Sequence, residues 1–315
     1  MCALFGFLDY GKKISFLTKK KLIRELSVAA ESRGTDATGI AYVKNKELTI
    51  FKKAKPAHKL SLYFPNDTVC VMGHTRMATQ GSEKFNANNH PFLGCADKSF
   101  ALAHNGVLYN DTVLKRTEDL PSTEIETDSY AAVQLIEKSQ ALDFESIKSM
   151  AETVMGSFMF SILDEDNTLY FVKGSNPIYL IHFEDLGIFI YGSTKEIVQT
   201  AIMKTVLKYS KGNVINLAEG NILSINKNGE MTKSYFTFYE DIYMSRNYSG
   251  FDWACLYDER EESVEDVLLE NCVNFGIEPD DVYALLDYGY EPEDIEMMFY
   301  EPKYLLECVR ETNLF

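Results

Sequence analysis

The chain has 315 residues, 46% apolar and 13% aromatic, enough to bury a large core and to form more than one domain. No apolar run reaches the roughly 20 residues a bilayer span needs, and the N-terminus lacks the apolar stretch of a signal peptide, so a cytoplasmic location is expected. The formal net charge of −16 is uneven: residues 251–315 hold 19 of the 47 acids against only Arg260, Lys303 and Arg310, leaving a neutral body with no basic field for nucleic acid.

The six cysteines, Cys2, Cys70, Cys95, Cys255, Cys272 and Cys308, are scattered without a C-x-x-C pair. Neither a zinc site nor a disulfide framework is expected, and five of them read as small buried apolar residues. Cys2 stands apart because only the initiator methionine precedes it. A thiol titrates near ~8.5 and an α-amino group near ~7.7–8.0, so removal of Met1 would put a nucleophile and a general base on one residue. The apolar run Ala3-Leu4-Phe5-Gly6-Phe7 that follows predicts a buried strand. On these residues alone an ordinary N-terminal strand with an incidental cysteine explains the pattern equally.

Helical spacing of Leu22, Ile23, Leu26, Ala29 and Ala30 predicts a helix from Phe16 to Arg33, ending near Gly34. A polar turn, Arg33-Gly34-Thr35-Asp36, then enters a strand paired with 48–53, and Val69–Met72 reads as a further buried strand. The cluster Gly73-His74-Thr75-Arg76-Met77-Ala78-Thr79-Gln80-Gly81 leaves that strand directly, followed by Asn86, Asn88, Asn89, His90, Pro91 and Phe92. An arginine at a strand end suits a bidentate grip on a carboxylate or phosphate, and equally a structural ion pair. In His104-Asn105-Gly106 the Asn-Gly pair is a hairpin-turn signal. The alternative is chemical: the Asn amide and the glycine N–H converge as two donors of an oxyanion hole.

Thr123–Tyr130 opens a helix to about Ser139, where Asp128 alone is an ordinary helix-dipole partner. A second helix is expected at 144–154, then strands at 156–163 and 169–173 joined by an Asp-Glu-Asp-Asn turn. Further strands are expected at 178–183, 188–191, 221–226 and 234–238, with a short helix near 195–203. Helices and strands in blocks predict an α+β sandwich. In the acidic tail, Pro279, Pro292 and Pro302 each precede or sit among acids at helix starts, and with 261–275 they predict a bundle of about four short helices. Such a module is either a dock for a basic partner or a self-packing cap.

Taken in order, Cys2, Arg33-Gly34-x-Asp36-x-x-Gly39, Gly73-His74-Thr75-Arg76-x-Ala78-Thr79, Asn89-His90-Pro91-Phe92, His104-Asn105-Gly106, Thr127-Asp128 and Gly174-x-Asn176-Pro177 form a set of motifs. Over residues 2–240 the chain resembles the class II glutamine amidotransferase domain of the N-terminal nucleophile hydrolases. It resembles the glutaminase halves of glucosamine-6-phosphate synthase and glutamine phosphoribosylpyrophosphate amidotransferase. The resemblance implies a four-layer αββα fold, which is taken over residues 1–245, and the tail's own pattern places the acidic helical module at 250–315. It implies that Cys2 is nucleophile and base, that Asn105 and Gly106 form the oxyanion hole, that Arg76 grips the α-carboxylate of glutamine and that Asp128 receives its α-ammonium. Thr79 and His90 fall in segments that shape the pocket. Met77 and Gln80 depart from the Trp and His common at those positions, on the loop that closes over glutamine.

The expected reaction is glutamine hydrolysis to glutamate and ammonia through a Cys2 thioester, without cofactor or metal. No phosphate-binding glycine loop follows residue 240, so the acceptor of ammonia is expected on a separate partner protein. Two other readings are an amidase of the same fold for another amide substrate and a non-catalytic scaffold that has lost the activity.

Overall fold

A computed structural model of the chain describes residues 2–238 and 277–290, together with positions 269, 272, 295, 298, 305 and 308–310. The strands in chain order are β1 (Ala3–Asp9), β2 (Ala37–Lys44), β3 (Glu47–Lys53), β4 (Cys70–Arg76), β5 (Phe92–Cys95) and β6 (Ser99–Leu108). They continue as β7 (Gly156–Asp164), β8 (Leu169–Lys173), β9 (Tyr179–Phe183), β10 (Ile188–Gly192), β11 (Asn213–Ile215), β12 (Asn221–Ile225) and β13 (Met231–Tyr235). The helices are α1 (Phe16–Ala30), α2 (Asp111–Thr117), α3 (Tyr130–Lys138), α4 (Phe144–Thr153), α5 (Lys195–Met203) and α6 (Pro279–Tyr288).

β1 is buried along its whole length, as a strand covered on both faces must be. It lies at the centre of a seven-stranded antiparallel sheet in the order β11-β9-β10-β1-β4-β2-β3, and the remaining strands form a second sheet, β13-β12-β8-β7-β6-β5. Alternate β1 residues face opposite layers. Leu4 and Leu8 meet Met159, Leu163 and Phe171 of the second sheet, whereas Phe5 and Phe7 pack under α1 and α5 with Leu22, Ile23, Leu26 and Val198. A third cluster joins Phe100, Phe158 and Phe160 to Ala132, Ile136 and Ile147 of α3 and α4. Helix layer, two sheets and helix layer make the αββα sandwich. Phe5, Phe7, Phe160, Phe171 and Phe189 are fully buried, at roughly 1.5–3 kcal/mol of transfer free energy each. Lys19 of α1 pins the far end of β1, pairing with Asp9 at 3.3 Å and donating to the Thr68 carbonyl.

Where the structure departs from the sequence reading, pairing explains it. Gly73–Arg76 remain in strand rather than entering a loop, because β1 and β2 flank β4 as far as Thr75 and Arg76. Asn105-Gly106 is no hairpin turn: both residues lie inside β6, opposite Met159 and Phe158. α3 begins only at Tyr130, after Thr127 and Asp128 have spent their side chains on neighbouring chain. β13 starts at Met231, and α2, β5 and β11 were not anticipated. Cys95 is exposed, not buried, on the short edge strand β5, and Cys255 lies outside the described residues.

The chain divides into units Met1–Arg246 and Asn247–Phe315. In the second, α6 follows its sequence signals closely: Pro279 stands in the first turn with Asp280 and Asp281, and Gly289 closes the helix in the left-handed region at φ 104°. Val282 and Leu285 pack with Cys272, Ile277, Ile295, Met298, Leu305 and Cys308. The expected helix at 261–275 and the helix starts at Pro292 and Pro302 lie largely outside the described residues.

Candidate active site

Strand register gathers the candidate residues at one end of the sandwich. Ala3 pairs with Thr75 and Ala37 with Arg76, so Cys2, Arg76 and the 33–36 turn share an edge of the first sheet. The chain passes this point very tightly. A Cβ on Gly34 would lie 2.4 Å from the Arg76 carbonyl carbon, so glycine alone lets the turn run against β4. Asp36 then fastens the loop beyond, its N–H donating to the Arg76 carbonyl at 2.9 Å and its carboxylate accepting from Ala78 N–H at 2.8 Å.

β6 brings Asn105 and Gly106 to the same end from the second sheet, and Arg33 ties the two together. Its Nε donates to the Cys2 carbonyl at 2.8 Å and its Nη2 to Asn105 Oδ1 at 3.4 Å. In the sequence Arg33 stands out only as part of a turn motif; its setting is tertiary, and no local signal carries it. With Oδ1 held by Arg33, the Asn105 amide is turned so that Nδ2 is buried with no hydrogen-bond partner. Buried donors are nearly always paired, so an orphan that Arg33 ties to the Cys2 main chain calls for an acceptor. Gly106 sits at φ 150°, and a Cβ there would come 1.8 Å from the Ser157 carbonyl oxygen. Asn176 steadies the pair by donating to the Asn105 carbonyl at 3.0 Å.

Cys2 is half-buried, and its thiol donates to the Met77 carbonyl at 3.5 Å. Burial pushes the thiol pKa up, with Asp128 adding to the rise, while a backbone hydrogen bond at Met77 and the charge of Arg76 pull against it. The Arg76 guanidinium feels burial first and then the opposing fields of Cys2 and Asp128. Thiol, cation and anion thus lie within one another's electrostatic reach.

Arg76 makes no ion pair among the described residues, which removes the structural Arg–Asp alternative there. Nη1 donates to Asn89 Oδ1 at 2.8 Å, and Nη2 donates to the Gln80 and Gly81 carbonyls at 2.5 and 3.0 Å. An entering carboxylate therefore competes with carbonyls of the arginine's own loop. Asp128 accepts from Leu108 N–H and Ser129 N–H, both at 2.7 Å, and its Oδ1 lies 3.1 Å from Ser129 Oγ. Two N–H bonds on a carboxylate with about four acceptor positions leave room for a further donor.

Behind this front lies a stack of histidines. His104 Nδ1 meets Ser129 Oγ at 2.7 Å and its Nε2 faces the Ser157 carbonyl at 3.3 Å. Burial holds His104 neutral, and a carbonyl can only accept, so the consistent tautomer carries hydrogen on Nε2 and receives the Ser129 hydroxyl at Nδ1. His74 Nε2 contacts the His104 carbonyl at 2.9 Å, and burial pulls its pKa down to about 3. His90, expected in the pocket wall, is interior: its ring lies 4.3 Å from His74 and 4.4 Å from Phe92, and both ring nitrogens are buried without partners. Thr79 is exposed on the 77–81 loop. These two are not drawn into the cluster that Cys2, Arg76, Asn105, Gly106 and Asp128 form.

The two antiparallel sheets between helical layers have the αββα fold expected of the N-terminal nucleophile hydrolases. Residues 74–199 match the family described as a glutamine amidotransferase domain. Over that stretch the chain resembles glutamine amidotransferase domains, the class II members among them. It is 28% identical over 242 residues to glutamine–fructose-6-phosphate aminotransferase (isomerizing) of Geobacillus kaustophilus, covering 74% of this chain and 38% of that protein. The Staphylococcus aureus protein of that name is 32% identical over 190 residues, 57% of this chain and 30% of the other. The chain thus spans well under half the length of these relatives. Among solved structures, the glutamine phosphoribosylpyrophosphate amidotransferase of B. subtilis superposes with a TM-score of 0.58 at 21% identity, over 75% of this chain and 49% of its own. A structure described as the allosteric regulatory enzyme of purine biosynthesis gives 0.60 at 20%, with the same coverage.

Proposed function

We propose that the protein hydrolyses L-glutamine to glutamate and ammonia, with Cys2 as nucleophile once Met1 is removed. The observation that carries this reading is the unpartnered Asn105 amide, which Arg33 links to the Cys2 backbone.

Glutamine is a zwitterion with a neutral carboxamide, so its site needs a cation, an anion and a nucleophile in fixed relation. Arg76 serves the α-carboxylate, Asp128 the α-ammonium and Cys2 the carboxamide carbon. The free α-amine of Cys2 takes the thiol proton as sulfur attacks, and the carbonyl oxygen becomes an oxyanion bonded by Asn105 Nδ2 and Gly106 N–H. Collapse breaks the C–N bond, and the ammonium returns the proton to the departing nitrogen, leaving a glutamyl thioester and ammonia. Water, its proton taken by the same amine, attacks the thioester and releases glutamate and the thiol. Thr79 joins the pocket when the 77–81 loop closes, and His90 supports that pocket from behind. The thiol has to stay reduced, which fits a cytoplasmic setting.

The same reading takes residues 1–245 as the glutaminase domain and 250–315 as an acidic helical module. Ammonia goes to an acceptor on a separate protein, which that module helps to dock. The excess negative charge of the tail, set against a neutral body, supports a basic docking face on the partner.

Ammonia release from L-glutamine by the purified protein tests the reaction, and Cys2→Ala is expected to abolish it. Comparison with γ-glutamyl peptides and other amides separates a glutaminase from a broader amidase. Retention of Met1 with no turnover points to a scaffold instead.

A further inference from the structure

We propose that Lys52, on the edge strand β3, is a positioning residue for Arg76, holding the segment whose Asn89 side chain fixes the guanidinium. The inference rests on the assignment of Arg76 to the glutamine α-carboxylate.

Lys52 grips the 86–89 segment at both ends. Its Nζ donates to the Asn89 carbonyl at 2.6 Å and the Ala87 carbonyl at 3.4 Å, while its own carbonyl accepts from Asn86 Nδ2 at 2.8 Å. The ammonium also lies 4.9 Å from the Phe92 ring centroid, where the negative ring face receives it. Asn89 is fully buried, and its side chain carries the constraint onward: Oδ1 accepts from Arg76 Nη1 at 2.8 Å and Nδ2 donates to the Glu83 carbonyl at 2.8 Å. The path from ammonium to guanidinium therefore runs through one residue, Lys52 to the Asn89 main chain and the Asn89 side chain to Arg76.

The placement is costly for a simple prop. Burial, and then the like charge of Arg76, pull the Lys52 pKa down to about 8. A second cation beside Arg76 repels it in the empty site and is favourable only when an anion arrives, as the α-carboxylate does. Lys52 thus acts on Arg76 twice, through geometry and through the field it adds where a carboxylate docks. The groups facing it electrostatically are Arg76 and His90. Arg76 stays charged and His90 stays neutral between pH 7 and 9, so Lys52 is the member of the three that titrates there.

The test is L-glutamine hydrolysis by the wild type and by Lys52→Met, Lys52→Arg and Lys53→Met, the last replacing an exposed lysine next along β3. Lys52→Met is expected to raise KM about tenfold with kcat changed less than about twofold, the mark of lost ground-state binding. Lys52→Arg recovers most of the loss, and Lys53→Met changes neither constant. The ratio of the Lys52→Met KM to the wild-type KM shrinks from pH 7 to pH 9 as wild-type Lys52 loses its proton. An unchanged KM in Lys52→Met overturns the inference, as does a fall in kcat with a matching drop in melting temperature in both Lys52 variants. A wild type that releases no ammonia overturns the proposed function itself, and the positioning role with it.

Discussion

Asn105 and Gly106 show how differently two adjacent residues can contribute to one site. Asn105 holds an orphan donor in place through Arg33, so Asn105→Ala removes a donor without filling space. It is expected to lower kcat about 10²–10³-fold with little change in KM, measured as ammonia release at saturating and limiting glutamine. Gly106 contributes backbone. Its φ of 150° and the 1.8 Å approach of a Cβ to Ser157 mean that Gly106→Ala forces the β6–β7 pair apart. Overpacking of this kind costs typically ~1–3 kcal/mol, so the variant loses thermal stability as well as activity, which calorimetry and the same assay separate from Asn105→Ala. The Asn-Gly pair read equally as a hairpin turn because the signal is local, whereas its true setting depends on β7, some fifty residues onward. Arg33, Ser129 and Asn176 escaped role assignment for the same reason: each acts through a partner on another element.

At the level of elements, most strands and helices were legible because their apolar spacing matches the layer they cover. α1, α4, α5, β7 and β8 came close to their expected bounds, each amphipathic or continuously apolar as its position demands. β5 and β11 were missed because they are short edge strands of four and three residues with little periodicity to read. α4 carries a local signature that a mutation can probe: Asp143 accepts from Ser146 N–H at 2.8 Å while Ser146 Oγ accepts from Asp143 N–H at 3.0 Å. Asp143→Ala removes the cap and is expected to cost about 1 kcal/mol in denaturant unfolding, with glutamine turnover intact because α4 lies across the second sheet from the candidate site. A silent Asp143→Ala would mean that α4 is held by packing alone.

For the whole molecule, the buried histidines dictate a pH response. His74, His90 and His104 are all held below their ordinary pKa by burial. The unfolded chain binds protons on them below about pH 6.5, while the fold keeps them neutral, His74 down to about pH 3. Stability therefore rises with pH across that window and is lost as pH falls through it. Urea midpoints at pH 7, 6 and 5 should decline in order, and a flat profile would show that these residues are hydrated in the fold. The αββα sandwich was foreseen through the family resemblance that the motifs carry, whereas helices and strands in blocks by themselves pointed only to an α+β sandwich. What neither could convey is that Arg76 is already bonded to the Gln80 and Gly81 carbonyls of its own loop, a fact of packing with no counterpart in spacing.

The catalytic expectations depend on a free chain end at position two. The most direct measurement is intact-protein and peptide mass spectrometry after incubation with a glutamine-like electrophile such as a γ-diazoketone analogue. The account predicts a mature chain beginning at Cys2, modified once on that residue and protected by excess L-glutamine. A chain that keeps Met1, or an adduct on exposed Cys95 with Cys2 untouched, would contradict it.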